Sequence, residues 1–117
     1  MANDVVTLTY GGRPLRVLRI GGDPWFVLND VELLIGDRDL VRRASLLDSA
    51  EWSFILRSTI ERDAKRAACS TIVTLSGLRK MLRWEFETPV MDRRATDLRT
   101  WLHANLVALL AAAEVQA

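Results

Sequence analysis

Two glycine pairs near the start of the chain constrain its fold more than any other feature. Gly11-Gly12 marks one tight turn, and Gly21-Gly22 with Asp23-Pro24 marks a second, between three short segments of β-branched, aromatic and other apolar residues: 5–10, 13–20 and 25–27. Strands joined by such short turns pair in antiparallel order. The pattern therefore predicts a three-stranded meander, and a regular third strand would point Trp25 and Phe26 to opposite faces of the sheet.

A short helix is predicted directly after the third strand. The Asn29 side chain can accept a hydrogen bond at a helix N-terminus, and Glu32 lies three residues further on, as in a capping box. Residues 30–35 supply an apolar face, and Gly36 is a typical residue after a helix C-terminus. We therefore expect a helix over 30–35 that begins at the Asn29 cap.

The middle of the chain predicts a second short helix and a β-hairpin. The helix covers 37–44, with Asp39 as its cap. Two later segments are rich in β-branched and aromatic residues and are expected to be strands: 52–60 and 69–75. The charged segment 61–68 would then form the tip of a hairpin. A helix over 60–68 accounts for the same residues nearly as well, so the sequence leaves both open.

The last third of the chain predicts two helices. Ser76 caps a helix over 77–87, and Thr88 caps a longer one in which Pro89 takes the first position, where its missing N–H has no cost. The longer helix runs to near Glu114. Its apolar residues recur every three or four positions: Met91, Ala95, Leu98, Leu102, Leu106 and Leu109.

Together these elements predict an α+β fold. A small antiparallel sheet, made of the N-terminal meander and the central hairpin, would pack against the short helices and the long C-terminal helix. The 117 residues fit one domain over 1–117, in which residues 111–117 are expected to fray. Half of the residues are hydrophobic and 26% are charged, which is enough for a packed core.

The chain carries no signature of secretion or of a membrane span. Its N-terminus lacks the basic start and apolar run of a signal peptide. Its apolar C-terminal stretch is shorter than the about 20 residues that a membrane-spanning helix needs. We expect a cytoplasmic protein without membrane contact.

No residue pattern indicates catalysis or cofactor binding. Cys69 is the single cysteine and lies in an apolar stretch, so a small buried thiol is expected and no metal site is predicted. His103 is the single histidine, beside the apolar stripe of the last helix, and is expected to be structural or at the surface. The glycine pairs do not match a phosphate-binding loop. We therefore expect neither an enzyme nor a cofactor.

Arginine dominates the basic residues, because 14 of the 16 are Arg. Residues 57–99 hold ten basic and six acidic groups, so the middle of the chain is modestly basic. Arginine binds phosphate or guanine with two parallel hydrogen bonds. Three clusters are therefore candidate DNA contacts: Arg38, Arg42 and Arg43; Arg62, Lys65 and Arg66; Arg79, Lys80 and Arg83. The alternative is a solvated surface of mixed charge.

The order of several short motifs resembles the Bro-N domain, the N-terminal part of baculovirus BRO proteins and of many phage antirepressor-type proteins. The resemblance spans about residues 13–110. Its matching motifs are Trp25-Phe26, Asp30-Val31, Ile35-Gly36, Ser76-Gly77-Leu78, Pro89 and Arg99-Thr100-Trp101-Leu102.

This resemblance implies a phage or prophage protein of the bacterial host cytoplasm that binds double-stranded DNA as a transcriptional regulator or antirepressor. A second reading is a protein-binding inhibitor of a host repressor or defence complex that acts without DNA, comparable to an anti-CRISPR protein. The apolar end of the last helix, at Leu106, Leu109 and Leu110, could also join two copies into a homodimer.

Overall fold

An antiparallel sheet forms the centre of the protein. The computed structural model describes residues 4–61, 68–105 and 108. Its strands are β1 (Asp4–Tyr10), β2 (Arg13–Ile20), β3 (Asp23–Val27), β4 (Trp52–Leu56) and β5 (Cys69–Thr74). In the described residues they form one five-stranded sheet in the order β1-β2-β3-β5-β4.

Helices pack on this sheet and complete the α+β fold that the sequence predicts. The described helices are α1 (Leu28–Ile35), α2 (Leu40–Arg43), α3 (Leu75–Met81) and α4 (Pro89–Ala104). A 3₁₀ turn follows α2 over Ala44–Leu46, and another follows β4 over Arg57–Thr59. None of the helices in the described part of the chain is long and apolar enough to cross a lipid bilayer.

The two glycine pairs form the hairpin turns of the meander, as predicted. Tyr10 lies opposite Arg13, and Ile20 lies opposite Asp23, so each turn consists of the two glycines alone. Asp23 and Pro24, expected in the second turn, instead pair with β2 as the first residues of β3. All four glycines have positive φ angles, between 57° and 88°. Two-residue hairpin turns need positive φ at both positions when they follow the twist of the flanking strands, and glycine adopts it without a steric cost.

The two faces of the sheet carry hydrophobic clusters of different size. Phe26 is fully buried on the face that the helices cover, within the main core. Trp25 lies on the other face and packs against a smaller cluster of Leu18, Val27 and Ile72. The predicted alternation of Trp25 and Phe26 is therefore confirmed.

The central hairpin pairs as predicted, but its first strand is shorter. β4 ends at Leu56, opposite Cys69, and residues 57–59 form the 3₁₀ turn. The expected tip, including Arg62, Lys65 and Arg66, lies mainly outside the described residues. Cys69 is exposed, so the prediction of a buried thiol was wrong. The reason is its place as the first residue of β5, opposite the half-exposed Leu56 where the pairing of these two strands ends.

Three predicted helix caps, Asn29, Asp39 and Ser76, were wrong, and for α1 and α3 tertiary contacts decide where the helix begins. α1 starts at Leu28, directly after the strand, and Asn29 makes no cap. Glu32 instead accepts a hydrogen bond from the Val41 N–H at 3.1 Å, at the start of α2. α3 starts at Leu75 with Thr74 as its cap, because the Ser76 hydroxyl donates to a neighbouring carboxylate.

Other helix ends agree more closely with the sequence. Gly36 follows α1 in the left-handed conformation, and the Thr88 hydroxyl accepts from the Met91 N–H at 3.2 Å, both as predicted. The helix expected over 77–87 ends at Met81. The helix expected over 37–44 is limited to α2 and its 3₁₀ turn, and Asp39 forms no side-chain cap there.

Candidate nucleic-acid interface

A basic groove lies between α3 with the turn that follows it and the C-terminal half of α4. Its volume is about 410 Å³, and it is open to solvent. The lining residues are Arg79, Arg83, Arg99, Thr100 and His103. Three arginines and a histidine therefore converge from two segments that are about 20 residues apart in the sequence.

The apolar face of each segment determines where these basic side chains lie. Leu78 and Leu82 are buried, which leaves the flanking Arg79 and Arg83 on the outer side. On α4 the residues Ala95, Leu98 and Leu102 are buried, and Arg99 and His103 each follow one of the buried leucines. Because residues four apart on a helix share one face, Arg99 and His103 project together into the groove.

The groove is suited to binding an anion. None of Arg79, Arg83 and Arg99 forms an ion pair with a described carboxylate. Each guanidinium has five N–H donors in a planar arrangement that matches two oxygens of a phosphate. The Thr100 hydroxyl donates to the Thr96 carbonyl at 3.0 Å, so its hydrogen is engaged within α4.

The first predicted cluster does not join this groove. Arg42 forms an exposed ion pair with Asp39 at 3.4 Å. The Arg43 guanidinium stacks on the Trp84 ring at 4.6 Å and donates to a backbone carbonyl. Arg38 lines a separate depression at the C-terminal end of α1. The structure therefore disperses these three arginines, and two of them have partners within the protein.

Lys80 does not line the groove, although Arg79 and Arg83 of the same predicted cluster do. Its Nζ donates to Glu51 Oε1 at 2.8 Å and to Asp48 Oδ2 at 3.4 Å. The hydrogen bond with Glu51 raises the pKa of Lys80 above its ordinary value. Lys80 therefore connects α3 to the loop before β4, where two carboxylates balance its positive charge.

The remaining predicted site residues lie outside the described residues. They are the cluster Arg62, Lys65 and Arg66 and the expected dimer contacts Leu106, Leu109 and Leu110. The continuation of α4 toward Glu114 lies outside them as well. These predictions stay predictions.

Comparison with known proteins adds no further constraint. No protein-family model, curated protein or solved structure matches this chain. The Bro-N resemblance therefore depends on the order and spacing of its short motifs. Within the described residues, no group of three or more His, Cys, Asp and Glu side chains could hold a metal ion.

Sequence reasoning missed two of the basic groups that line the groove, Arg99 and His103. A usable signal exists, because Arg79 with Arg83 and Arg99 with His103 are two basic pairs of the same spacing. What the spacing could not show is that the two pairs face each other. That arrangement follows from the packing of α4 against the sheet and α1.

Proposed function

We propose that this chain is a phage or prophage regulatory module of the Bro-N type that binds double-stranded DNA. The groove between α3 and α4 holds the phosphate backbone, with Arg79, Arg83 and Arg99 as its main contacts and His103 at its edge. The observation that carries this proposal is the convergence of three arginines that have no described carboxylate partner.

Two further features support binding over catalysis. The groove is open to solvent, and its arginines are donors for an anionic ligand. Its one hydroxyl donates to a backbone carbonyl. The order of the Bro-N-like motifs supports the same conclusion, since the Arg99-Thr100-Trp101-Leu102 motif contributes two groove residues.

The experiment measures binding of a fluorescent duplex by anisotropy at about 50 mM and about 200 mM salt. The test variant combines Arg83→Gln and Arg99→Gln, one residue from each side of the groove. We expect it to weaken binding roughly 10- to 100-fold at the lower salt, because two charged hydrogen-bonding groups are lost.

The matched control combines Arg13→Gln and Arg93→Gln, which removes the same charge from two exposed arginines outside the groove. This variant should bind within about twofold of the unmodified protein if the groove is the contact. Equal losses in both variants would show that only net charge matters. Absence of duplex binding at low salt would instead favour the protein-binding inhibitor.

A further inference from the structure

The outer edge of β4 has backbone groups that are free to pair with another strand. The Thr74 N–H donates to the Glu51 carbonyl, and the Arg57 N–H donates to the Ala68 carbonyl, so the odd-numbered residues of β4 bond to β5. In an antiparallel ladder the alternate residues direct their N–H and C=O groups the other way. These residues are Trp52, Phe54 and Leu56.

No backbone group among the described residues pairs with these outward groups. The Ser53 hydroxyl donates a long hydrogen bond of 3.5 Å to the Phe54 carbonyl oxygen, and this exposed contact would have to yield when another strand pairs there. Edge strands of natural proteins are usually protected by a charge, a proline or a bulge. β4 reads WSFIL and contains no charged residue and no proline. As far as the described residues extend, its edge is therefore open to strand addition.

The side chains along this edge are also exposed and apolar. Phe54 is 62% exposed and Leu56 is 50% exposed, although both lie on the same face of the sheet as the main core. The Trp52 and Phe54 rings meet edge to face at 5.2 Å, which holds the phenyl ring in place. The opposite edge strand, β1, has no large apolar side chain with this exposure among its described residues.

We propose that β4 pairs with β4 of a second copy of this chain, antiparallel and about a twofold axis at Phe54. This register opposes each Phe54 to its counterpart and each Trp52 to the partner copy's Leu56. It pairs all three outward residues and forms up to about six backbone hydrogen bonds. The two five-stranded sheets then become one continuous sheet.

The ends of β4 favour a second copy over an unrelated peptide. Asp48 precedes the strand with a carboxylate that is 80% exposed, and Arg57 follows it. The Glu51 carboxylate is buried and bonded to Lys80 and Ser76, so it takes no part in this contact. In the antiparallel register the acidic end of one copy lies beside the arginine of the other, and the twofold axis repeats this contact. Aromatic and apolar residues that lie directly opposite each other stabilise a sheet further. The edge is thus complementary to itself in hydrogen bonds, apolar contacts and charge.

The first test measures the mass of the full chain by light scattering or sedimentation between about 1 and 100 μM. We expect twice the 13.2 kDa of one chain at the upper end of this range. Phe54→Lys should return the protein to a monomer with an unchanged circular dichroism spectrum, because this side chain is exposed and a lysine blocks edge pairing.

Two control variants separate this edge from other apolar surfaces. Leu33→Lys changes an equally exposed residue on α1, and Leu109→Lys changes the C-terminal dimer contact that the sequence suggests. Both should remain dimers. A monomeric unmodified chain at about 100 μM, or a dimer that only Leu109→Lys disrupts, would overturn the proposal.

A cross-linking test reports on the register itself. In the Cys69→Ser background, Phe54→Cys brings two thiols together at the twofold axis, with Cα atoms about 5.5 Å apart, within the range of a disulfide. Mild oxidation should produce a covalent dimer, whereas Leu33→Cys should not. Lack of a cross-link at Phe54→Cys would contradict the register. Neither result depends on DNA, so the outcome is independent of the proposed function.

Discussion

Asp30 is the carboxylate that joins the first turn of α1 to β2. It accepts hydrogen bonds from the Arg16 N–H at 2.8 Å and from the Arg16 Nε and Nη2 atoms at 2.9 Å. Its side chain is only 5% exposed. The Arg16 guanidinium also contacts Glu61, and these bonds raise the pKa of Arg16, with Asp30 as the largest cause.

Asp30→Ala should therefore destabilise the protein by about 2 kcal/mol, because a backbone N–H and two guanidinium N–H groups lose their buried acceptor while Glu61 still pairs with Arg16. Urea unfolding curves measure this loss. Asp39→Ala is the control, since its ion pair with Arg42 is exposed and should contribute less than about 1 kcal/mol. Equal losses of unfolding free energy in both variants would show that burial does not strengthen the interactions of Asp30.

Glu51 makes a contribution to stability that depends on pH. Its carboxylate accepts from Lys80 at 2.8 Å and from the Ser76 hydroxyl at 2.9 Å. The Lys80 hydrogen bond is the largest cause that lowers the pKa of Glu51 below its ordinary value of 4.5. The stability from this shift is present above about pH 4.5 and is lost as the pH falls through the lowered pKa.

Unfolding of the unmodified protein and of Glu51→Gln should therefore be compared at several pH values between about 7 and 2. The unmodified protein should be the more stable one near neutrality. The difference should shrink as the pH falls below about 4.5, because Glu51 then becomes protonated and resembles the variant. A difference that stays constant over this range would contradict the role of the charged carboxylate.

At the scale of the elements, the start of α3 depends on one side chain. The Thr74 Oγ1 atom accepts from the Gly77 N–H at 3.1 Å. Thr74→Ala should cost about 1 kcal/mol of unfolding free energy, which is typical for loss of a helix cap. Asn29→Ala should cost less than about 0.5 kcal/mol, because Asn29 forms no cap on α1. Chemical denaturation measures the unfolding free energy of both variants. A larger loss for Asn29→Ala than for Thr74→Ala would support the Asn29 cap that the sequence predicts.

Gly77 is explained by packing between α3 and the loop before β4. A Cβ atom at this position would lie 2.9 Å from the Glu51 carbonyl oxygen and 3.2 Å from Leu47 Cδ1. The Glu51 carbonyl is also held by the Thr74 N–H at 2.9 Å, so it cannot move away freely. A glycine is thus required here although it is a poor helix former.

We expect Gly77→Ala to destabilise the protein by about 1–2 kcal/mol, since the overpacking exceeds the gain in helix propensity. Thr96→Ala, at an exposed position of α4, provides the control and should be neutral or slightly stabilising. Thermal unfolding distinguishes the two. A higher Tm for Gly77→Ala would mean that α3 shifts at little cost.

At the scale of the whole molecule, the placement of charge matters more than its sum. The net charge is only +1, yet three arginines face the groove while Lys80, Arg42 and Arg16 are paired with carboxylates elsewhere. Long-range attraction of a polyanion depends on such local excess charge. A nearly neutral protein can therefore still have a surface suited to phosphate.

This arrangement predicts how the proposed DNA binding depends on salt. The slope of log K against log salt counts the phosphates that are neutralised, with a value of about −0.9 for each. Arg83→Gln combined with Arg99→Gln should reduce its magnitude by about 2, whereas Arg13→Gln combined with Arg93→Gln should leave it unchanged. Titrations at four or more salt concentrations provide the slopes. Unequal affinities with equal slopes would argue against phosphate contacts by these arginines.

The local signals in the chain determined the features that depend on neighbours in sequence. The glycine pairs specified the two hairpin turns, the alternation at Trp25 and Phe26 specified two faces, and Thr88-Pro89 specified the start of α4. In each case the relevant energy term is a backbone angle, a side-chain direction or a hydrogen bond that spans only a few residues. These terms are nearly the same in any fold.

Only the tertiary structure decided which polar groups are used and where. Ser76 and Glu32 bond outside their own helices because a neighbouring element offers a closer partner, and Lys80 is neutralised by Glu51 across 29 residues of sequence. The groove and the open edge of β4 arise in the same way, from strand order and from the docking of α4. Burial and electrostatics depend on distance in space, which a single chain specifies only once it is folded.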